Sequence, residues 1–144
     1  MGWFLLDVAA RLQSSSARPV KKGALMKILL VDDDADVREV LAELLTLEGH
    51  SVTSAADGPE GVLRALQTEP EVAFIDLTLP GIDGVEVARR IRAVMGSSVL
   101  LVALSGHADA SPRGFDARLT KPSGANEILA VLGRLRSQPR RAAG

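Results

Sequence analysis

Five short apolar runs alternate with segments of helical periodicity, and this alternation constrains the fold more than any other feature of the chain. Met26 to Val31 is an apolar run closed by acids, which reads as a buried strand. Asp36 to Leu47 spaces Val37, Val40, Leu41, Leu44 and Leu45 as one face of a helix, and Gly49 is a plausible stop. A weaker strand, His50 to Ala55, precedes a helix over Gly58 to Gln67 with Val62, Leu63 and Leu66 on one face. Glu71 to Leu77 is the next strand. A helix over Gly84 to Met95 follows, with Val85, Val87, Ile91 and Val94 inward. Ser98 to Leu104 is a continuous apolar strand, and Ala117 to Thr120 with Asn126 to Leu135 forms the last strand and helix. Strands that alternate with helices pair in parallel through right-handed crossovers, with helices on both faces of the sheet. The expected fold class is a doubly wound α/β domain.

Size and composition narrow the function classes. The chain has 144 residues, 47% of them apolar, enough for one sizeable core. Its formal net charge of −1 supplies no overall field toward nucleic acid or an anionic membrane, so no nucleic-acid and no membrane partner is expected. The absence of cysteine excludes disulfides, thiolate metal sites and cysteine nucleophiles, and fits a cytoplasmic protein. Residues 1–25 read as an N-terminal extension or linker, 26–138 as the folded domain and 139–144 as a flexible tail. Two readings of the extension stay open: a translation start at Met26, or a short amphipathic helix presenting Trp3, Phe4, Leu6 and Val8.

In a doubly wound sheet the ligand site lies beyond the carboxyl ends of the strands, near the point where strand order reverses. The residues there are informative. The first strand runs into Asp32, Asp33 and Asp34, the third ends at Asp76, the fourth at Ser105 and the fifth at Lys121. Two unit charges about 4 Å apart interact by roughly 4 kcal/mol at an effective dielectric near 20, so clustered carboxylates need a counter-charge. Mg²⁺ is a hard cation that takes oxygen ligands from one or two carboxylates and a phosphate. With its charge screened, a central carboxylate can attack a phosphoryl donor while Lys121 and a hydroxyl orient the transferred oxygens.

ILLVDDD at 28–34, FIDLTLPGIDG at 74–84 and LTKP at 119–122 resemble, in order, motifs of the response-regulator receiver family of two-component signalling. The resemblance covers Met26 to about Gln138. It implies a flavodoxin-like five-stranded parallel sheet of order 2-1-3-4-5 and a phosphoacceptor charged by a histidine kinase or a histidine phosphotransfer protein. It further implies that Asp76 takes the phosphoryl group, that Asp33 ligates Mg²⁺ directly, and that Asp32 acts largely through metal-bound water. The backbone carbonyl of Thr78 completes the metal ligands, Ser105 is the switch hydroxyl, and Lys121 binds phosphate beside a Lys121-Pro122 bond that is usually cis in the family. Such a protein is not an enzyme beyond catalysing its own phosphorylation and dephosphorylation. It signals by contact with an unknown protein target, and with no output segment in view it reads as a single-domain regulator.

Duller readings stand beside these. Asp34 reads best as a cap on the following helix. Ser105-Gly106 is also turn chemistry, and His50 and His107 are isolated and not read as ligands. The chain also departs from the family. Only 16 positions separate Ser105 from Lys121, and HADASPRGFD lacks apolar periodicity, so the family's helix between strands four and five is expected to be short or absent. Arg118 stands where the family commonly has an aromatic residue, which puts its usual output face in doubt. Two other functions are weighed: a phosphorylation-independent binding module, suggested by the altered output face, and a Mg²⁺-dependent phosphohydrolase with Asp32 as nucleophile, suggested by the acid pair Asp32-x-Asp34 after the first strand.

Overall fold

The computed structural model describes residues 25–106, 113–120 and 125–137. The expectations for Trp3, Phe4, Leu6, Val8, His107, Lys121, Pro122 and the tail lie outside the described residues.

The elements follow the expected order: β1 (Lys27–Val31), α1 (Ala35–Leu47), β2 (Ser51–Ala55), α2 (Gly58–Thr68), β3 (Val72–Asp76), α3 (Gly84–Met95), a single 3₁₀ turn (Gly96–Ser98), β4 (Leu100–Ser105), β5 (Ala117–Thr120) and α4 (Ala125–Ser137). Five strands form one parallel sheet in the order β2-β1-β3-β4-β5. β3 is buried along its whole length, which is why its sequence VAFID is continuously apolar up to the final acid.

Alternate residues of the strands feed two cores. Ile28, Leu30, Phe74, Val102 and Leu104 pack on one face with Leu41, Leu44, Leu45, Ile128 and Leu132 from α1 and α4. Leu29, Val31, Ala73, Ile75 and Leu101 pack on the other with Ala65, Val87, Ala88 and Ile91 from α2 and α3. Full burial of each large side chain stabilises the fold by about 1.5–3 kcal/mol before entropy is counted. Each of the first three helices starts on an aspartate cap. Asp34 accepts from the Asp36 and Val37 amides, Asp57 from Glu60 and Asp83 from Glu86.

Two helix faces differ from the sequence expectation. In α2, Leu63 and Leu66 are exposed, and the buried residues are Gly58, Gly61 and Ala65 with Val62 half-buried. A Cβ on Gly61 would come within 2.9 Å of the Val31 side chain, so small residues let this helix lie close on β1. In α3, Val85 and Val94 are exposed while Gly84, Val87, Ala88 and Ile91 form the inward stripe. That i, i+3, i+4, i+7 spacing fixes the face, and Val85 and Val94 fall off it.

The crossover from β4 to β5 runs over residues 106–116. Its described residues, Gly106 and 113–116, contain no helix, and 107–112 lie outside the described residues. A polar latch stands at the far end of these strands. Asp116 donates its amide to the Leu101 carbonyl at 2.7 Å, and its Oδ2 accepts from the Leu101 amide and from Arg92, each at 2.8 Å. Arg92 also donates to the carbonyls of Gly96 and Val99, joining the end of α3 to the start of β4 and β5. Asp116→Ala, which strands the amide of buried Leu101, is expected to cost about 1–3 kcal/mol. Asp116→Asn keeps one acceptor and loses less, an ordering that urea denaturation of the two variants checks.

Candidate functional site

The strand order reverses between β1 and β3. Going outward, one side of the sheet holds β1 then β2, and the other holds β3, β4 and β5. The crevice above the carboxyl ends of β1 and β3 is therefore the switch point of the fold. Val31 pairs with Ile75 across these strands, so Asp32 and Asp76, the next residue on each, emerge side by side.

The structure brings Asp32, Asp33 and Asp76 together, with one carboxylate oxygen of each inside a 4.8 Å spread. Asp32 and Asp76 are buried, at 2% and 4% exposure, while Asp33 faces solvent. Backbone donors support the two buried acids. The Asp34 amide donates to Asp32 Oδ1 at 2.9 Å, and the Thr78 amide donates to Asp76 Oδ1 at 2.9 Å. These bonds offset part of the cost of removing charge from water. Thr78 thus sits in the turn that wraps the Asp76 carboxylate.

Ser105 ends β4 beside β3 and is buried at 2% exposure. It pairs in register with Thr120, the last residue of β5. Lys121 follows Thr120 in sequence and lies outside the described residues. Arg118 is exposed on β5, in register with Ala103. His50 is buried away from the acids, and its Nδ1 accepts from the Met26 amide at 3.1 Å, a structural role.

Two residues near the acids were given no part in the site by the sequence reading. Arg38, in the second turn of α1, donates from Nη1 to the backbone carbonyl of Asp32 at 2.7 Å. The signal available was position: helical side chains lean toward the amino terminus, so an arginine just past the cap reaches back over the preceding loop. Gly84 opens α3 against the backbone of the loop after β3, where a Cβ would collide with the Asp76 carbonyl oxygen. Its amide donates to Leu77 O at 3.2 Å, so the start of α3 closes the turn after Asp76.

An all-oxygen cluster of three carboxyl groups fits a hard divalent cation such as Mg²⁺, and no cysteine or clustered histidine stands among the described residues to favour a softer metal.

Residues 28–133 match the family model of the response regulator receiver domain. The chain belongs to that family. Phosphorylation on aspartate and Mg²⁺ binding are general features of these receivers, which serve two-component signalling. The chain is 36% identical over 111 residues to the response regulator MprA of Mycobacterium leprae, covering 73% of this chain and 48% of that one. It is 31% identical over 107 residues to the transcriptional regulatory protein ResD of Bacillus subtilis, covering 72% and 45%. It thus spans about half the length of these relatives. Among solved structures, the receiver domain of the sensor histidine kinase PA1611 from Pseudomonas aeruginosa, which holds a magnesium ion in its active-site cleft, superposes with a TM-score of 0.71 at 31% identity, covering 78% of this chain and 98% of that one. The chemotaxis protein CheY4 of Vibrio cholerae superposes with a TM-score of 0.68 at 27% identity, covering 76% and 98%. Among the described residues no helix is long and apolar enough to cross a membrane.

Like charges this close oppose folding when no cation is present. Asp33 is exposed, so solvent screens much of its share, and Asp33→Asn is expected to stabilise the metal-free protein by about 1 kcal/mol. Saturating Mg²⁺ should raise the melting temperature of the unaltered chain and erase or reverse the advantage of the variant. Thermal denaturation with EDTA and with Mg²⁺ checks both signs.

Proposed function

We propose that this receiver accepts a phosphoryl group on Asp76 from a phosphohistidine on a histidine kinase or a histidine phosphotransfer protein. The observation that carries the reading is the convergence of three carboxylates at the switch point, with Asp76 buried at the end of the central strand β3. Asp33, Asp76 and the backbone carbonyl of Thr78 would hold Mg²⁺, with Asp32 as a supporting acid. When bound, the ion supplies charge neutralisation for the carboxylates and the phosphoryl oxygens.

The chain's own groups account for the rest. The Asp76 carboxylate attacks phosphorus, an oxygen–phosphorus bond forms, and the phosphorus–nitrogen bond to the donor imidazole breaks. Burial of Asp76 and the Thr78 amide on its Oδ1 restrict the orientation in which its other oxygen can meet the donor. Lys121 neutralises the transferred oxygens, and the Ser105 hydroxyl at the neighbouring strand end turns toward them as the switch. The only catalysis in this reading is the receiver's own phosphorylation and dephosphorylation.

The receiver is assigned to 26–138, with 1–25 as an extension or linker and 139–144 as a tail. The family match over 28–133 and the elements from β1 to α4 support those limits. The proposed setting is cytoplasmic. Output runs by contact with a protein target or by passing the phosphoryl group onward, without nucleic acid or membrane. With no helix among the described residues between β4 and β5 and with Arg118 exposed, it does not use an aromatic switch on β5. The phosphohydrolase alternative needs Asp34 as its second acid. Asp34 instead spends its carboxylate capping α1, which disfavours that chemistry.

Incubation with acetyl phosphate and Mg²⁺ should add one phosphoryl mass to the intact protein, and peptide mapping should place it on Asp76. Asp76→Ala and EDTA should each abolish the gain. Modification that persists in the variant, or that maps to Asp32, would refute the assignment.

A further inference from the structure

Arg38 belongs to none of the motifs that carry the family resemblance and has no part in the transfer chemistry described above. Its contacts nevertheless close a ring around the acidic loop. The Asp34 amide donates to Asp32 Oδ1 at 2.9 Å, the Arg38 amide donates to the Asp34 carbonyl at 3.0 Å, and Arg38 Nη1 returns to the Asp32 carbonyl at 2.7 Å. Asp34 Oδ1, by accepting from the Asp36 and Val37 amides, ties the same ring to the first turn of α1. Asp32 is thus held at its side chain and at its backbone carbonyl, and that carbonyl opens the peptide leading to Asp33.

We propose that Arg38 is a positioning residue for the cation site, holding the Asp32–Asp33 segment so that both carboxylates face Asp76 before any ion arrives. The inference rests on the reading of the acids as a Mg²⁺ site. Two effects of opposite sign compete at Arg38. Its positive charge repels a cation, whereas its hydrogen bond removes the conformational freedom that two acids on an unrestrained loop would lose on binding. Arg38 is half-buried and bonded to a carbonyl, so its removal both loosens the loop and leaves the Asp32 carbonyl without this donor. We assign the larger effect to positioning, because outer groups that orient ligands typically change metal affinity by about 10-fold or more.

The test is calorimetric Mg²⁺ titration of the full chain and of Arg38→Met and Arg38→Lys, with the metal-free melting temperature of each measured alongside. Arg38→Met, which keeps length and loses both donor and charge, should weaken Mg²⁺ binding about 10-fold, and Arg38→Lys, which restores a donor, should recover most of it. A purely structural role would lower the melting temperature while leaving the affinity of the folded protein unchanged. Unchanged or tighter binding by folded Arg38→Met overturns the inference. Failure of the unaltered chain to bind Mg²⁺ instead overturns the reading of the acids on which it rests.

Discussion

Everything at the functional edge depends on the parallel register of β1 and β3. These strands place Val31 opposite Ile75, which sets Asp32 beside Asp76 with Asp33 one residue further out. A strand advances about 3.3 Å per residue, so a slip of two residues would carry Asp76 roughly 7 Å along the sheet, beyond the spread that now holds the three acids. The carboxylates do not choose this proximity, since they repel. It is imposed by Leu29, Val31, Ala73 and Ile75 on one face of the sheet and by Ile28, Leu30, Val72 and Phe74 on the other, all buried. Hydrophobic burial and the backbone ladder hold charges together that would separate in water, and the cost of that constraint is what a cation can relieve.

The loops that leave the two strands extend the same logic. After β1 the chain turns on Asp34, which spends its carboxylate on the α1 amides and its own amide on Asp32. After β3 the turn folds back so that the Thr78 amide reaches Asp76, and glycine at position 84 lets α3 begin against the Asp76 carbonyl. Both buried acids therefore sit at strand-to-helix turns whose donors are supplied within two residues. Such turns are local, so the orientation of each buried acid is set within a few residues of its own strand end.

The sequence made the sheet and the acids legible for a simple reason: a buried parallel strand is a continuous apolar run, and an acid that ends one has few structural excuses. β3 is the clearest example, with Asp76 closing an otherwise apolar strand. The helix faces were less legible. Hydrophobicity marked Leu63, Leu66, Val85 and Val94 as inward, but Gly61, Ala65 and Ala88 make the close contacts, and a small residue carries almost no signal of burial. Arg38 was invisible for another reason. Its value lies in one bond to a backbone carbonyl, and no residue type advertises a carbonyl as its partner.

The crossover between β4 and β5 shows how a polar pair can do what packing does elsewhere. β5 is a four-residue edge strand on which only Leu119 is buried, so apolar patterning specifies its register weakly. The Asp116 bonds to Leu101 fix that register from the other end, through both the backbone and the carboxylate, and Arg92 anchors the carboxylate to the end of α3. Once Asp116 is fixed against Leu101, Ala117 falls opposite Val102 and Thr120 opposite Ser105. The place where β5 stops, beside Ser105 at the functional edge, is thus set by hydrogen bonds at the far end of the sheet. Hydrogen bonds to Leu101 and the Arg92 ion pair reinforce the register of a strand that packs only Leu119 and Ala117 against α4.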